Sequence, residues 1–223
     1  RLYENVAKET KIRTNLQRYL SPNIANDIIS KKEKLVLGGE RVECSVLFTD
    51  ICCFTSMSEK LPPESIVNML NEYFSAMTKI IFENEGTLDK FIGDAIMALW
   101  GAPLNYPGSA EDACRTALDM FPRLTELNER WAPRNLPRLD IGVGINTGEV
   151  FVVNVGSEER FNYTVIGDEV NFTSRLEGIN KVYGTRIIIS DATRREIAGA
   201  PDLFVRELDR VMVKGKKEPR TIF

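Results

Sequence analysis

Histidine is absent from this sequence of 223 residues. Ser-His-Asp hydrolases, Cys-His proteases, HExxH metalloproteases and His-ligated zinc sites all need it, so none of these is encoded here. Acid–base or metal chemistry must run on carboxylates, Lys, Arg and hydroxyls. Cysteine is sparse, with Cys44, Cys52, Cys53 and Cys114 making up the four. They form no CxxC, and the adjacent Cys52 and Cys53 suit neither a zinc knuckle nor a disulfide framework. They read as reduced thiols of an intracellular, cytoplasmic chain. Long apolar runs are missing too: Ala95 to Leu104 is broken by Gly101 and Pro103, well short of the ~18 residues of a membrane span. Signal peptide, internal repeat and low-complexity tract are all lacking. An excess of one charge is also missing, since 29 Lys and Arg face 32 Asp and Glu for a net charge of −3. Nucleic acid and anionic membrane are therefore disfavoured as partners. The start at Arg1, without Met, suggests a piece of a longer protein.

What is present is 43% hydrophobic residues, enough for one large domain with its own core. Residues 2–31 carry a helical stripe of Ile12, Leu16, Tyr19 and Leu20, interrupted at Ser21-Pro22, where a second short helix starts. Residues 1–37 read as a helical entry segment or linker, and Gly38-Gly39 opens a compact domain over 38–223. Val42 to Phe48 predicts a buried strand. Ile66, Met69, Leu70, Tyr73, Met77, Ile80 and Ile81 predict a helix between Pro62 and Gly86. Leu88–Ile92 and Ile96–Trp100 predict strands around a Gly93-Asp94 tip. Ser109 to Asp112 reads as a capping-box variant opening a helix to about Arg130, bent at Pro122. Arg138–Asn146 alternates as a strand, and Thr147-Gly148 reads as a turn into Val150–Val155. A strand at Asn162–Ile166, a helix from Glu169 to Lys181, Ile187–Ser190, a small helix at 191–198 and strands near 203–213 complete the chain. Interspersed helices with two hairpins argue for an α+β fold with a mixed or antiparallel sheet.

Asp50 ends the first strand and Asp94 sits at the hairpin tip. Two carboxylates at strand ends without a nearby His suit hard cations such as Mg²⁺ or Mn²⁺, although turn aspartates are also common at such places. The Ile51-Cys52-Cys53-Phe54-Thr55 stretch looks like a strand-to-helix turn whose amides could cradle phosphate. Asn171 and Arg175 share one helix face and could hold a phosphoryl group; a solvated face explains the spacing as well. Lys214 lies in a basic loop, and Lys90 on a hairpin strand carries no function by itself.

Phe48-Thr49-Asp50-Ile51, Leu88-Asp89-Lys90-Phe91-Ile92-Gly93-Asp94, Asn146-Thr147-Gly148-Glu149, Tyr163 to Asn171 and Arg175 together resemble, in order and spacing, the catalytic domain of class III nucleotidyl cyclases. The resemblance spans roughly 38–223, and Arg18 to Pro22 resembles the helical segment that often precedes that domain. The nearest likeness is to the bicarbonate-responsive cyanobacterial and mammalian soluble adenylyl cyclases. It implies a ferredoxin-like cyclase fold, helices packed on a mixed sheet, with a β-hairpin arm.

The resemblance also implies roles. Asp50 and Asp94, with the Ile51 carbonyl, would bind two Mg²⁺, for which Mn²⁺ or Ca²⁺ can substitute. One ion would activate the ribose 3′-oxygen and the other clamp the β- and γ-phosphates. Lys90 would donate to adenine N1 and Thr164 accept from the 6-amino group. Asn171 would orient the ribose and Arg175 stabilise the α-phosphate. Lys214 would hold the terminal phosphates, beside the phosphate-cradling amides already read at Cys53, Phe54 and Thr55. In this family the metal residues come from one subunit and the purine, Asn and Arg residues from the other, which implies a homodimer with two equivalent sites. Upstream sensor domains and a bicarbonate activator follow from subgroup likeness alone. Many relatives carry Asp at the place of Thr164, and Cys52-Cys53 replaces a common charged-residue–Gly pair. No residue stands out as general base: Asp50, a metal-bound hydroxide or a substrate phosphate could take the 3′ proton.

The implied activity is cyclisation of ATP to cyclic AMP and pyrophosphate. Rival readings are a guanylyl or diguanylate cyclase, a catalytically silent nucleotide-binding regulatory domain, and an unrelated ferredoxin-like domain. Ile166 to Val170 superficially resembles the GGDEF signature, but Asn171 and Arg175 fit the class III helix better. Lys90 opposes guanine, and the intact Asp50, Asp94, Asn171 and Arg175 oppose silence.

Overall fold

The computed structural model describes residues 39–157, 160–212 and 219–223. The helices expected over 2–31, the 1–37 segment and Lys214 lie outside the described residues.

Strand β1 (Gly39–Ile51) is the centre of the molecule. Its side chains are buried without interruption from Cys44 to Thr49, as expected of a strand covered on both faces. Alternation then divides them: Leu47 and Ile51 enter one apolar cluster, while Cys44, Val46 and Phe48 enter another. The chain continues through α1 (Phe54–Ser58), α2 (Pro63–Glu83) and the hairpin β2 (Thr87–Ile92) with β3 (Ala95–Trp100). Next come α3 (Ser109–Trp131), β4 (Ile141–Ser157), β5 (Arg160–Ile166) and α4 (Asp168–Tyr183). β6 (Ile187–Ile189), α5 (Asp191–Glu196), β7 (Asp209–Val211) and β8 (Arg220–Ile222) follow.

The main sheet runs β2-β3-β1-β4-β5 with antiparallel neighbours, and β6 lies parallel to the first part of β4. This is the mixed α+β arrangement that the pattern of hairpins and helices predicts. Helices α2 and α3 cover one face, where Met69, Tyr73 and Met77 meet Met120, Leu127 and Trp131 over Leu47, Ile96, Trp100 and Val143. Each large side chain enclosed there stabilises the fold by about 1.5–3 kcal/mol relative to exposure. Helix α4 covers the opposite face and lies directly on β4. It can come so close because Gly144 has no side chain: a Cβ there would stand 2.3 Å from the Glu177 nitrogen.

Three expectations are corrected. Thr147-Gly148 is not a turn, because β4 runs unbroken through it and pairs with β1 from Ile51↔Ile141 to Gly39↔Val153. At Gly148 a Cβ would come to 3.0 Å from the Glu169 side chain, a tight approach that glycine avoids; the second hairpin is β4–β5. Ser109 is the first helical residue of α3, not its cap. Gly108 takes the cap position at φ 93°, which glycine adopts freely, and no side chain caps the helix. The strand region expected near 203–213 narrows to β7, which pairs with β8. Among the described residues, no helix is long and apolar enough to cross a membrane.

Candidate active site

The two predicted metal carboxylates converge. Asp50 lies one residue before the end of β1, and Asp94 occupies the two-residue loop Gly93-Asp94, where Gly93 takes φ 64°. Since β3 pairs with β1, closing this hairpin returns Asp94 to the end of β1 that carries Asp50. Burial, and then hydrogen bonding with Asp50, push the Asp94 carboxyl up to about 6. Its Oδ2 is buried without a hydrogen-bond partner. A buried carboxylate oxygen with no donor, beside a second carboxylate, is an arrangement that a divalent cation satisfies. Asp50 and Asp94 therefore fit the hard-cation site that their chemistry suggests, and Ile51 directly follows Asp50 at the end of β1. No group of three or more His, Cys, Asp or Glu side chains poised for a metal occurs among the described residues.

Glu177, on α4, was not singled out from the sequence. Burial and then the nearby Asp50 push its carboxyl up to about 7, and its Oε1 lies over Gly142, the β4 partner of Asp50. No sequence spacing links positions 50 and 177; only the packing of α4 on the glycines of β4 brings them near.

Lys90 and Thr164 meet as well. Lys90 Nζ donates to Thr164 Oγ1 at 3.0 Å, although β2 and β5 lie at opposite ends of the β2-β3-β1-β4-β5 path. A third residue, missed in the sequence, completes the cluster. Thr164 Oγ1 donates to Asp89 Oδ2 at 2.7 Å, and Lys90 Nζ lies 3.1 Å from Asp89 Oδ1. Asp89 is the extra residue of a β-bulge, since Leu88 pairs with Ala98 and Lys90 with Met97. A bulge breaks the inward–outward alternation and re-aims a side chain, so two successive residues can serve one site. The Asp89 side chain is wholly buried. Burial raises its carboxyl, while the Thr164 hydroxyl, Lys90 and the Val165 amide oppose that rise.

Asn171 and Arg175 both point outward from α4, while Phe172, Thr173 and Leu176 face inward. The start of α4 is anchored by Glu169. Its carboxylate accepts from Asn146 Nδ2 at 2.9 Å and from Arg220 Nη2 at 2.7 Å. Arg220 also stacks over the Phe172 ring. The anchor fixes the helical turn that carries Asn171.

The turn after Asp50 forms as expected. Cys52 N–H donates to the Asp140 carbonyl at 2.9 Å, and Cys53 takes φ 59° before α1 begins at Phe54. That left-handed conformation disfavours any residue with a Cβ, so glycine would be less strained there than Cys53. Cys53 and Thr55 are exposed and Phe54 is half-buried.

The adenylate and guanylate cyclase catalytic domain family matches residues 39–223. Adenylate cyclase 1 of Rhizobium meliloti is 40% identical over 184 residues, covering 82% of this chain but only 27% of that protein. The chain thus spans about a quarter of the length of that relative. Among solved structures, the guanylyl cyclase Cya2 superposes with TM-score 0.77 at 39% identity, covering 83% of this chain and 92% of that one. The adenylyl cyclase CyaB from P. aeruginosa superposes with TM-score 0.76 at 34% identity, covering 83% and 94%. Similarity thus reaches cyclases of both purines. With the fold, the paired carboxylates and the whole of 39–223 in agreement, this chain belongs to the adenylate and guanylate cyclase catalytic domain family.

Proposed function

We propose that this domain cyclises ATP to 3′,5′-cyclic AMP and pyrophosphate, at two equivalent sites each completed by a second copy of the chain. The observation that carries the choice of ATP is the Lys90–Thr164 contact. An ammonium beside a hydroxyl oxygen offers a donor and an acceptor, the complement of adenine N1 and its 6-amino group. Guanine presents the reverse pattern, N1–H and O6. Among solved structures, similarity reaches an adenylyl and a guanylyl cyclase about equally, whereas curated relatives at 37–40% identity are named adenylate cyclases.

Asp50, Asp94 and the Ile51 carbonyl would hold two divalent cations, Mg²⁺ by preference. When bound, these supply Lewis acidity to the attacking and leaving oxygens. The residues of the chain do the rest. Asn171 orients the ribose so that its 3′-oxygen lies in line with the α-phosphorus. Arg175 meets the charge that develops on the α-phosphate, where a guanidinium fork is worth most. Cys53, Phe54, Thr55 and Lys214 receive the terminal phosphates. Asn171 and Arg175 face outward, as residues that complete a partner's site must, and Phe91 and Ile92 at the hairpin end are exposed apolar side chains suited to such an interface. The Thr at position 164 also supports a bicarbonate response, read as a rise in turnover at fixed pH.

Product analysis tests the reading. The purified chain is incubated with ATP or GTP and Mg²⁺ or Mn²⁺, and products are separated by chromatography. Cyclic AMP from ATP, lost in Asp50→Ala, is expected. Cyclic GMP as the main product would move the assignment to a guanylyl cyclase, and no cyclic product from a dimeric chain would move it to a regulatory domain.

A further inference from the structure

We infer that Asp89 is a positioning residue that sets purine selectivity by taking the only proton of the Thr164 hydroxyl; this rests on the cyclase reading above. A threonine hydroxyl can donate or accept, so by itself it tolerates either a 6-amino or a 6-oxo purine. Here its one hydrogen is committed to Asp89 Oδ2 at 2.7 Å. One lone pair receives Lys90 Nζ at 3.0 Å. What remains for a ligand is a lone pair, which can only accept.

Lys90 is constrained from the same side. Its ammonium gives one hydrogen to Thr164 and is held in an ion pair 3.1 Å from Asp89 Oδ1, which leaves a hydrogen for a purine acceptor. The cluster therefore presents one donor beside one acceptor, the pattern that the thymine edge offers to adenine. A 6-oxo purine would set its O6 against the Thr164 lone pair and its N1–H against the ammonium. The bulge at Asp89 is what allows this: in a regular strand Asp89 and Lys90 would point to opposite faces. Because the Asp89 side chain is wholly buried, water does not compete for its oxygens.

The test compares ATP, GTP and purine riboside triphosphate, which is ATP without the 6-amino group, on the wild-type chain, Asp89→Asn and Asp89→Ala. In wild type, deleting the amino group should lower kcat/KM about tenfold or more. In Asp89→Asn the side-chain amide can donate to Thr164 and release its proton towards the ligand. The ATP:GTP ratio of kcat/KM should then fall by about tenfold or more, and the penalty for deleting the amino group should shrink towards unity. Asp89→Ala should do the same without an amide. Unchanged ratios in folded variants, whatever their overall rate, would make Asp89 purely structural and overturn the inference. If both variants fail to fold, the wild-type arm decides: no penalty for losing the amino group overturns it, and a tenfold penalty together with strong rejection of GTP supports it. If wild type forms no cyclic product, the cyclase reading fails by itself. Dissociation constants of the same three nucleotides then decide the role of Asp89 by the same ratios.

Discussion

Lys90 Nζ stands 3.0 Å from Thr164 Oγ1, although the two residues are 74 positions apart and occupy strands at opposite ends of the β2-β3-β1-β4-β5 path. Their meeting makes a donor–acceptor pair that neither strand has alone. Thr164→Val keeps the shape and removes the oxygen, so the Asp89 and Lys90 polar groups would face a methyl. The kcat/KM for ATP should drop by about 10–100-fold in steady-state assays, with little change in fold. Undiminished ATP turnover would exclude Thr164 from purine recognition.

Asp94→Asn separates stability from catalysis. Without metal, the neutral amide relieves the crowding of Asp94 by Asp50, so the metal-free Tm should rise. Activity should fall at least about 100-fold, and the Tm increase that Mg²⁺ gives the wild type should disappear. A preserved Mg²⁺ response would place the cation elsewhere.

Gly144→Ala would force a Cβ to 2.3 Å from Glu177 N and 2.7 Å from Thr173 O, both backbone atoms of α4. Backbone does not yield like a side-chain tip, so the helix must shift. A loss of about 1–3 kcal/mol is expected, seen as a Tm about 3–10 °C lower. Activity should fall too, because the displaced helix carries Asn171 and Arg175.

The carboxyls of Glu177 and Asp94 give the metal-free protein a defined pH dependence. Burial and Asp50 hold Glu177 up at about 7, and burial and Asp50 hold Asp94 up at about 6. Both bind protons more tightly folded than unfolded, so their stabilisation is complete below about pH 4 and lost as pH rises through 6 and 7. Glu72, Asp202 and Asp209 are held below the usual carboxylate range and titrate at lower pH. Between pH 5 and 8 the Tm should therefore fall by about 2–4 °C, a small change because solvent screens half-exposed groups. Glu177→Gln should flatten the slope. An unaltered slope in that variant would show that Glu177 is not the titrating group.

Much of this was readable from the residues, for identifiable reasons. The β2–β3 hairpin announced itself because Gly93-Asp94 is a turn by local chemistry alone, and α2 because its apolar spacing persists for 21 residues. Asp50 and Asp94 could be named because strand ends are legible. Thr147-Gly148 misled because small residues mark turns and close packing alike, and only the approach of Glu169 over Gly148 distinguishes them. Asp89 was hidden by its bulge, which shifts register without a sequence signature. Glu177 was invisible because its relation to Asp50 exists only once α4 lies on β4.

The central claim, ATP cyclisation at sites shared between two copies, is tested most directly by mixing two inactive variants. Asp50→Ala lacks a metal carboxylate, and Arg175→Ala lacks the phosphate-facing guanidinium. If each site draws one residue from each copy, a heterodimer holds one intact site and one doubly defective site. Equal mixing should then restore cyclic AMP formation from ATP to about a quarter of the wild-type rate, since half of the random dimers are mixed. A mixture as inactive as its components, with subunit exchange verified, would contradict the account.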